Sequence, residues 1–329
     1  MPPAGRLDGT GHVVAAAALV AALLAGCAGP LSTDAVRRPS GSPTGAAEGP
    51  AARTVTPSRP TPALPRPDHV VVVVMENHGY GSIVGSADAP WINSLPAAVM
   101  TDWHGVMHPS QPNYLAMFTG STHGVTDNRC PVTVPGPSLA SQLISAGLSF
   151  IGYSEGLPSA DPTACRAGAY ARKHNPWVDV IGLPASTNQP MTAFPTDYAA
   201  LPTVSFVVPD LCHDTHDCPV RQGDAWLRDT LDGYVTWAAT HNSLLVITYD
   251  EDDSKTPGNH IPTHFVGPMV RPGRYDTLGN HYTLLRTVES LYGLPPIGRA
   301  AGQAPLTQIW TPASGRPPRD PAGGSLTPR

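Results

Sequence analysis

The residues Val70-Val71-Val72-Val73-Val74-Met75 form an unbroken apolar run, β-branched at every position but the last. Neither face of such a segment suits water, so it predicts a central strand covered on both sides. Thr203–Val208 and Leu244–Tyr249 repeat the pattern, and Phe150–Tyr153 and Phe265–Val270 predict two further strands. Between these runs the period changes. Leu139, Leu143 and Ile144 share one side of a helix over Leu139–Gly147, and Leu227, Leu231, Tyr234 and Ala238 share one side of Asp224–His241. His281–Tyr292 predicts a closing helix. Strands alternating with helices give the α/β class, here a three-layer sandwich around a largely parallel sheet.

Sheets of this kind bind ligands at the carboxyl ends of their strands, and polar residues collect there. Glu76-Asn77-His78 follows the first apolar run, and Asp250-Glu251-Asp252-Asp253 follows Leu244–Tyr249. One acidic run alone is usually a solvated turn. Two oxygen-rich clusters, each directly after a fully apolar strand, suit a hard divalent cation instead.

The segment His108-Pro109-Ser110-Gln111-Pro112-Asn113-Tyr114 predicts a helix start. Pro112 fits a first turn, Tyr114, Leu115, Met117 and Phe118 continue the segment, and Gly120 offers a stop. Ser110 then stands where free backbone N–H groups and the helix dipole favour negative charge, as on a phosphate. The plainer reading of Ser110 is an N-cap.

The composition narrows the setting. The chain has 329 residues, 41% hydrophobic and 14% charged, with a formal net charge of −5. That balance offers no basic footprint for nucleic acid. Residues 13–26 are apolar, too short to span a bilayer with ease but suited to a signal peptide, and Leu24-Ala25-Gly26-Cys27 resembles a lipobox. Residues 1–27 therefore predict a lipoprotein signal with a lipid anchor on Cys27, a plain secretory signal being the alternative. Residues 28–67 lack aromatics and are dense in Pro, Ser, Thr, Gly and Ala, which predicts a disordered linker. The catalytic domain is expected over residues 68–299, with a loose Pro/Gly-rich tail over 300–329. An extracytoplasmic chain, lipid-anchored or secreted, leaves Cys130, Cys165, Cys212 and Cys218 for two disulfides. Of three connectivities, Cys130–Cys165 and Cys212–Cys218 are expected. A four-cysteine zinc site is the rival, without a Cys-x-x-Cys pair to support it.

Glu76-Asn77, Ser110-Gln111-Pro112-Asn113 and Asp250-Glu251-Asp252-Asp253 taken together resemble the bacterial phosphoesterase family of acid phosphatases and phospholipases C, within the alkaline phosphatase superfamily. The likeness runs from about His69 to Leu294 and includes Tyr170-Ala171-Arg172-Lys173-His174, His216-Asp217 and His281-Tyr282. Within the family it looks especially like the secreted mycobacterial acid phosphatases that act on phosphoinositides. The resemblance implies an alkaline-phosphatase-like fold. It also implies a divalent metal, one per site, held by Glu76, Asn77, Asp250 and Glu251 and completed by Ser110 as alkoxide. Asn113 is implied to bind a phosphoryl oxygen, with Lys173 or His174 as the neighbouring cation. Ligands for a second metal are not evident, and His260 and His264 are read as surface or supporting residues.

These parts predict attack by Ser110 on phosphorus, a phosphoserine, and its hydrolysis by water. A histidine must protonate the leaving oxygen, and His216 and His281 are the candidates. A protonated histidine also favours acidic pH. His78, His104, His123 and His213 are read as structural, and His108 suits either role. The expected activity is hydrolysis of phosphomonoesters, phosphoinositides among the candidate substrates. A phospholipase C or phosphodiesterase, and a binding lipoprotein without catalysis, are the alternatives.

Overall fold

The computed structural model describes residues 64–254 and 257–311. The expected signal peptide, Cys27 and nearly all of the expected linker lie outside the described residues. Of that linker, residues 64–67 are described. Arg66 stacks on the Tyr292 ring, and Pro67 accepts a hydrogen bond from the Tyr292 hydroxyl at 3.2 Å, so these last residues belong to the folded body.

Eight strands make one sheet: β1 His69–Met75, β2 Ala98–Met100, β3 Phe150–Ser154, β4 Asn188–Pro190, β5 Val204–Val208, β6 Ser243–Tyr249, β7 Thr263–Val266 and β8 Gly273–Tyr275. Their order is β8-β2-β7-β6-β1-β5-β3-β4. Only β7 runs against its neighbours. The central strands β1, β5 and β6 are buried almost throughout, as their uninterrupted apolar sequences require.

The main helices are α1 Pro90–Ser94, α2 Ser110–Thr119, α3 Leu139–Ser145, α4 Val220–Ala238 and α5 His281–Leu291. Helices α2, α3 and α5 pack in one group and α1 and α4 in another, and together they cover both faces of a sheet whose centre shows none to water. The expected three-layer α/β sandwich is the fold found. Gly120 ends α2 in the left-handed region at φ 70°, with its N–H on the Ala116 carbonyl at 3.0 Å. Gly152 in β3 lies under the Trp177 indole, where a Cβ would come within 2.2 Å of the ring.

Two sequence expectations shift. The strand expected over Phe265–Val270 ends at Val266, because Gly267 turns the chain and accepts from Val270 N–H at 3.0 Å. The loose tail expected from Ala300 is packed as far as it is described. Leu306, Ile309 and Trp310 are buried, and Trp310 bridges to Val270. Both expected disulfides are present, Cys130–Cys165 and Cys212–Cys218. Among the described residues no helix is long and apolar enough to cross a membrane.

Candidate active site

Strands β1 and β6 lie side by side in parallel register, with Met75 opposite Tyr249. The residues that follow each strand therefore emerge together. Asp250 donates its N–H to the Met75 carbonyl at 2.9 Å, and Asn77 donates its N–H to Asp250 Oδ1 at 3.2 Å. Asn77 adopts a left-handed backbone at φ 57°, a conformation that asparagine tolerates better than most residues. Gly105 lets the chain entering α2 lie directly on this junction, since a Cβ there would stand 2.8 Å from the Asp250 carbonyl oxygen.

Helix α2 brings Ser110 to the same place. Its hydroxyl does not cap the helix. It lies 3.0 Å from Glu76 Oε2 and 3.2 Å from Glu251 Oε1, and accepts from Lys173 Nζ at 3.3 Å. Ser110, Glu76, Asp250 and Glu251 are all buried. His108 joins them, with Nδ1 2.5 Å from Glu251 Oε2 and Nε2 3.5 Å from Asp252 Oδ1.

Crowded carboxylates repel one another, and burial sharpens the effect. Burial, then the charges of Glu76 and Glu251, push the Asp250 carboxyl well above its ordinary value, and Glu251 moves up through burial and Glu76. Burial alone would raise Glu76 too, but His174 beside it outweighs that and holds it down. Asp250 Oδ2 is buried with no hydrogen-bond partner. Clustered oxygens, an orphaned buried carboxylate atom and a serine hydroxyl among them are what a divalent cation requires. Glu76, Asp250 and Glu251, with Ser110 against two of them, are candidate ligands for such an ion. Asn77 meets the group through its backbone N–H, and Glu76, His174 and Asp214 form a further group whose ligand atoms lie within 4.8 Å of one another.

Three expected roles change. Asn113 is buried, and its side chain is committed to the segment ahead of its own helix. Its Oδ1 accepts from Val106 and Met107 N–H at 2.9 and 3.2 Å, and its Nδ2 donates to the Met107 and Pro109 carbonyls. It latches the approach to Ser110 rather than facing a phosphoryl group. His281 is fully buried, with Nε2 donating to the Asp250 carbonyl at 2.5 Å. Burial pushes its pKa down to about 4, which favours the neutral ring over a proton donor. His174 is buried between two carboxylates, with Nε2 2.8 Å from Glu76 Oε1 and Nδ1 3.4 Å from Asp214 Oδ2. Burial opposes its charge, but Glu76 and Asp214 prevail and raise its pKa. It serves Glu76, not an incoming phosphate.

His216 stands apart from these. It is partly exposed, its ring centroid 6.4 Å from that of His174, and Nδ1 is 2.6 Å from Asp217 Oδ1. His260 stacks on Tyr80 with Nε2 on the Thr101 carbonyl, and His264 is buried within β7. Sequence reasoning missed Asp214. It lies in Pro209–Asp217, the loop after β5, and the rule that singled out the ends of β1 and β6 applies there as well.

The phosphoesterase family profile matches residues 88–295. The phosphatidylinositol-3-phosphatase of Mycobacterium tuberculosis is 50% identical over 253 residues, covering 75% of this chain and 84% of that protein. An acid phosphatase of Aspergillus fumigatus is 27% identical over 249 residues, and the matched part is 55% of its length. Among solved structures, a protein in the alkaline phosphatase superfamily from Vibrio parahaemolyticus shares the fold. It has a TM-score of 0.51 and 14% identity, and the match covers 75% of this chain and 72% of that one. The chain belongs to the phosphoesterase family, a family of phosphoric ester hydrolases.

Proposed function

We propose that this protein is an exported acid phosphatase that hydrolyses phosphomonoesters through a phosphoserine on Ser110. The observation that carries the reading is the Ser110 hydroxyl. It is buried at a helix start, leaves the cap unmade, and faces Glu76, Glu251 and Lys173 instead. Glu76, Asn77, Asp250 and Glu251 would hold a divalent cation, which when bound would supply Lewis acidity toward the hydroxyl and the phosphoryl oxygens. Ser110 attacks phosphorus in line while Lys173 neutralises charge on the equatorial oxygens. His216 protonates the departing oxygen, then takes a proton from the water that hydrolyses the phosphoserine. His108 holds Glu251 in place. The name of the mycobacterial relative supports phosphoinositides as a substrate class.

Replacing Ser110 with Ala removes a nucleophile without emptying a core position, so turnover is abolished in a protein that still folds. Acid quench of the wild type with a ³²P-labelled ester locates the phosphoryl group, and label on any residue but Ser110 refutes the assignment. Export through a lipid anchor on Cys27 is supported by the lipobox-like sequence and by two disulfides, which persist in oxidising compartments. Mass spectrometry of the mature protein is expected to find a lipidated Cys27 at its N-terminus. A different, unmodified N-terminus leaves a plainly secreted enzyme.

A further inference from the structure

Asp214 sits where three parts of the site meet. Its backbone carbonyl accepts the N–H of Glu76 at 2.8 Å, and its own N–H donates to the Asp210 carbonyl at 2.8 Å. Its Oδ1 accepts the N–H of His216 at 2.8 Å, and its Oδ2 meets His174 Nδ1 at 3.4 Å. On the far side of that imidazole, Nε2 meets Glu76 Oε1 at 2.8 Å. Glu76, His174 and Asp214 are all buried.

The two carboxylates approach different nitrogens of one imidazole, so His174 links Asp214 to Glu76. One ligand atom from each of the three lies within 4.8 Å of the others, so the group is also compact enough to share a cation. The ring is pinned in its plane as well, stacked on Tyr114 of α2 at 4.9 Å between centroids.

The loop that carries Asp214 is anchored at several points. Cys212–Cys218 closes it on either side of Asp214 and His216. Glu155, at the end of β3, accepts the Asp210 N–H at 3.0 Å and Trp226 Nε1 of α4 at 3.0 Å, and lies 2.9 Å from His213 Nδ1. Gly223 of α4 packs so closely on the loop that a Cβ would fall 2.4 Å from Thr215 Cγ2. Rigid support of this kind is what a positioning group needs.

We infer that Asp214 is a positioning residue: through His174 it fixes the Glu76 carboxylate, and through its own carboxylate it fixes the backbone of His216. The inference rests on the reading of Glu76 as a metal ligand. Partners that orient metal ligands typically change affinity or activity by about 10–100-fold when removed.

The test uses the metal-free protein, titrated with Mg²⁺, Mn²⁺ or Ca²⁺ in a calorimeter, and kcat and KM for p-nitrophenyl phosphate. Asp214→Ala is expected to weaken cation binding and lower kcat by about 10–100-fold each, with a smaller change in KM. Asp214→Asn keeps an acceptor for the His216 N–H and an amide against His174, so it falls between the alanine variant and wild type. It also preserves the test if the alanine variant does not fold. His174→Ala combined with Asp214→Ala binds the cation no more weakly than His174→Ala alone, because Asp214 acts on Glu76 through the ring. Folded Asp214 variants with wild-type affinity and kcat overturn the inference, and so do additive losses of affinity in the double variant. A wild-type protein that binds none of these cations overturns the metal reading itself, a separate outcome.

Discussion

At Ser110 a single hydroxyl proton faces two carboxylate oxygens while an ammonium approaches the same oxygen. A helix start would ordinarily use such a hydroxyl to satisfy its own N–H groups, an interaction worth about 1 kcal/mol. Here Pro109 takes the cap position, and Ser110, the first helical residue, turns its oxygen to the carboxylates instead. The histidines divide in the same way, by surroundings rather than by residue type. His281 is buried and bound to the Asp250 carbonyl, with burial pressing its pKa down, whereas His216 is partly exposed with Asp217 beside it. Their variants should therefore differ in kind. His216→Gln is expected to slow an alkyl phosphate, whose departing oxygen needs a proton, by about 10²–10⁴-fold. p-Nitrophenyl phosphate, with a leaving group stable as an anion, should lose far less. His281→Gln disturbs Asp250 and should slow both esters alike. Steady-state rates on the two substrates decide it, and equal losses in the His216 variant would remove it from the acid role.

At the scale of elements, the parallel register of β1 and β6 makes the site. Once Met75 lies opposite Tyr249, Glu76 and Asp250 become neighbours across a gap of more than a hundred residues in sequence. That much was legible in the chain, because strands buried on both faces carry unbroken apolar sequences and their ends are marked by the sudden polar residues. Helix α2 was legible for a similar reason: Pro112 and Gly120 are local signals at its two ends. The partners of individual side chains were not. Asn113 carries a residue type suited to phosphate, yet its amide matches the backbone of Val106–Pro109 folded back beside it, and nothing local announces that fold. Asp214 lies between Cys212 and Cys218, whose spacing signals a disulfide-closed loop rather than a carboxylate that meets His174. The packed stretch to Thr311 was hidden by composition. Its prolines and glycines suggest a loose tail, while three residues, Leu306, Ile309 and Trp310, are enough to anchor it in the core.

At the scale of the whole molecule, buried carboxyls outside the group of candidate metal ligands tie stability to pH. Glu289 of α5 has no exposed surface, takes the Ile297 N–H on Oε1 at 2.9 Å, and has Arg286 no nearer than 4.0 Å. Burial lifts its pKa from 4.5 to about 7. Asp179 behaves alike, lifted by burial from 3.8 to about 6 although Arg172 pulls the other way. In both groups the folded state holds the proton more tightly than the unfolded chain does. Their contribution to stability is therefore fully present below the unfolded pKa values and is lost as pH rises through about 6 to 7. Glutamine at position 289 copies the protonated acid at every pH and keeps an acceptor for Ile297. Glu289→Gln is expected to match the wild-type Tm near pH ~4.5 and to exceed it increasingly toward pH ~8. Thermal melts of the two proteins across that range measure the difference directly, and the comparison cancels the titration of the carboxylates around Ser110, which both share. Parallel curves would mean that Glu289 is charged in the folded protein, with the Arg286 guanidinium close enough in solution to hold it so. A widening gap would mean that Glu289 makes the folded state relatively more stable toward acidic pH, where the proposed activity also lies.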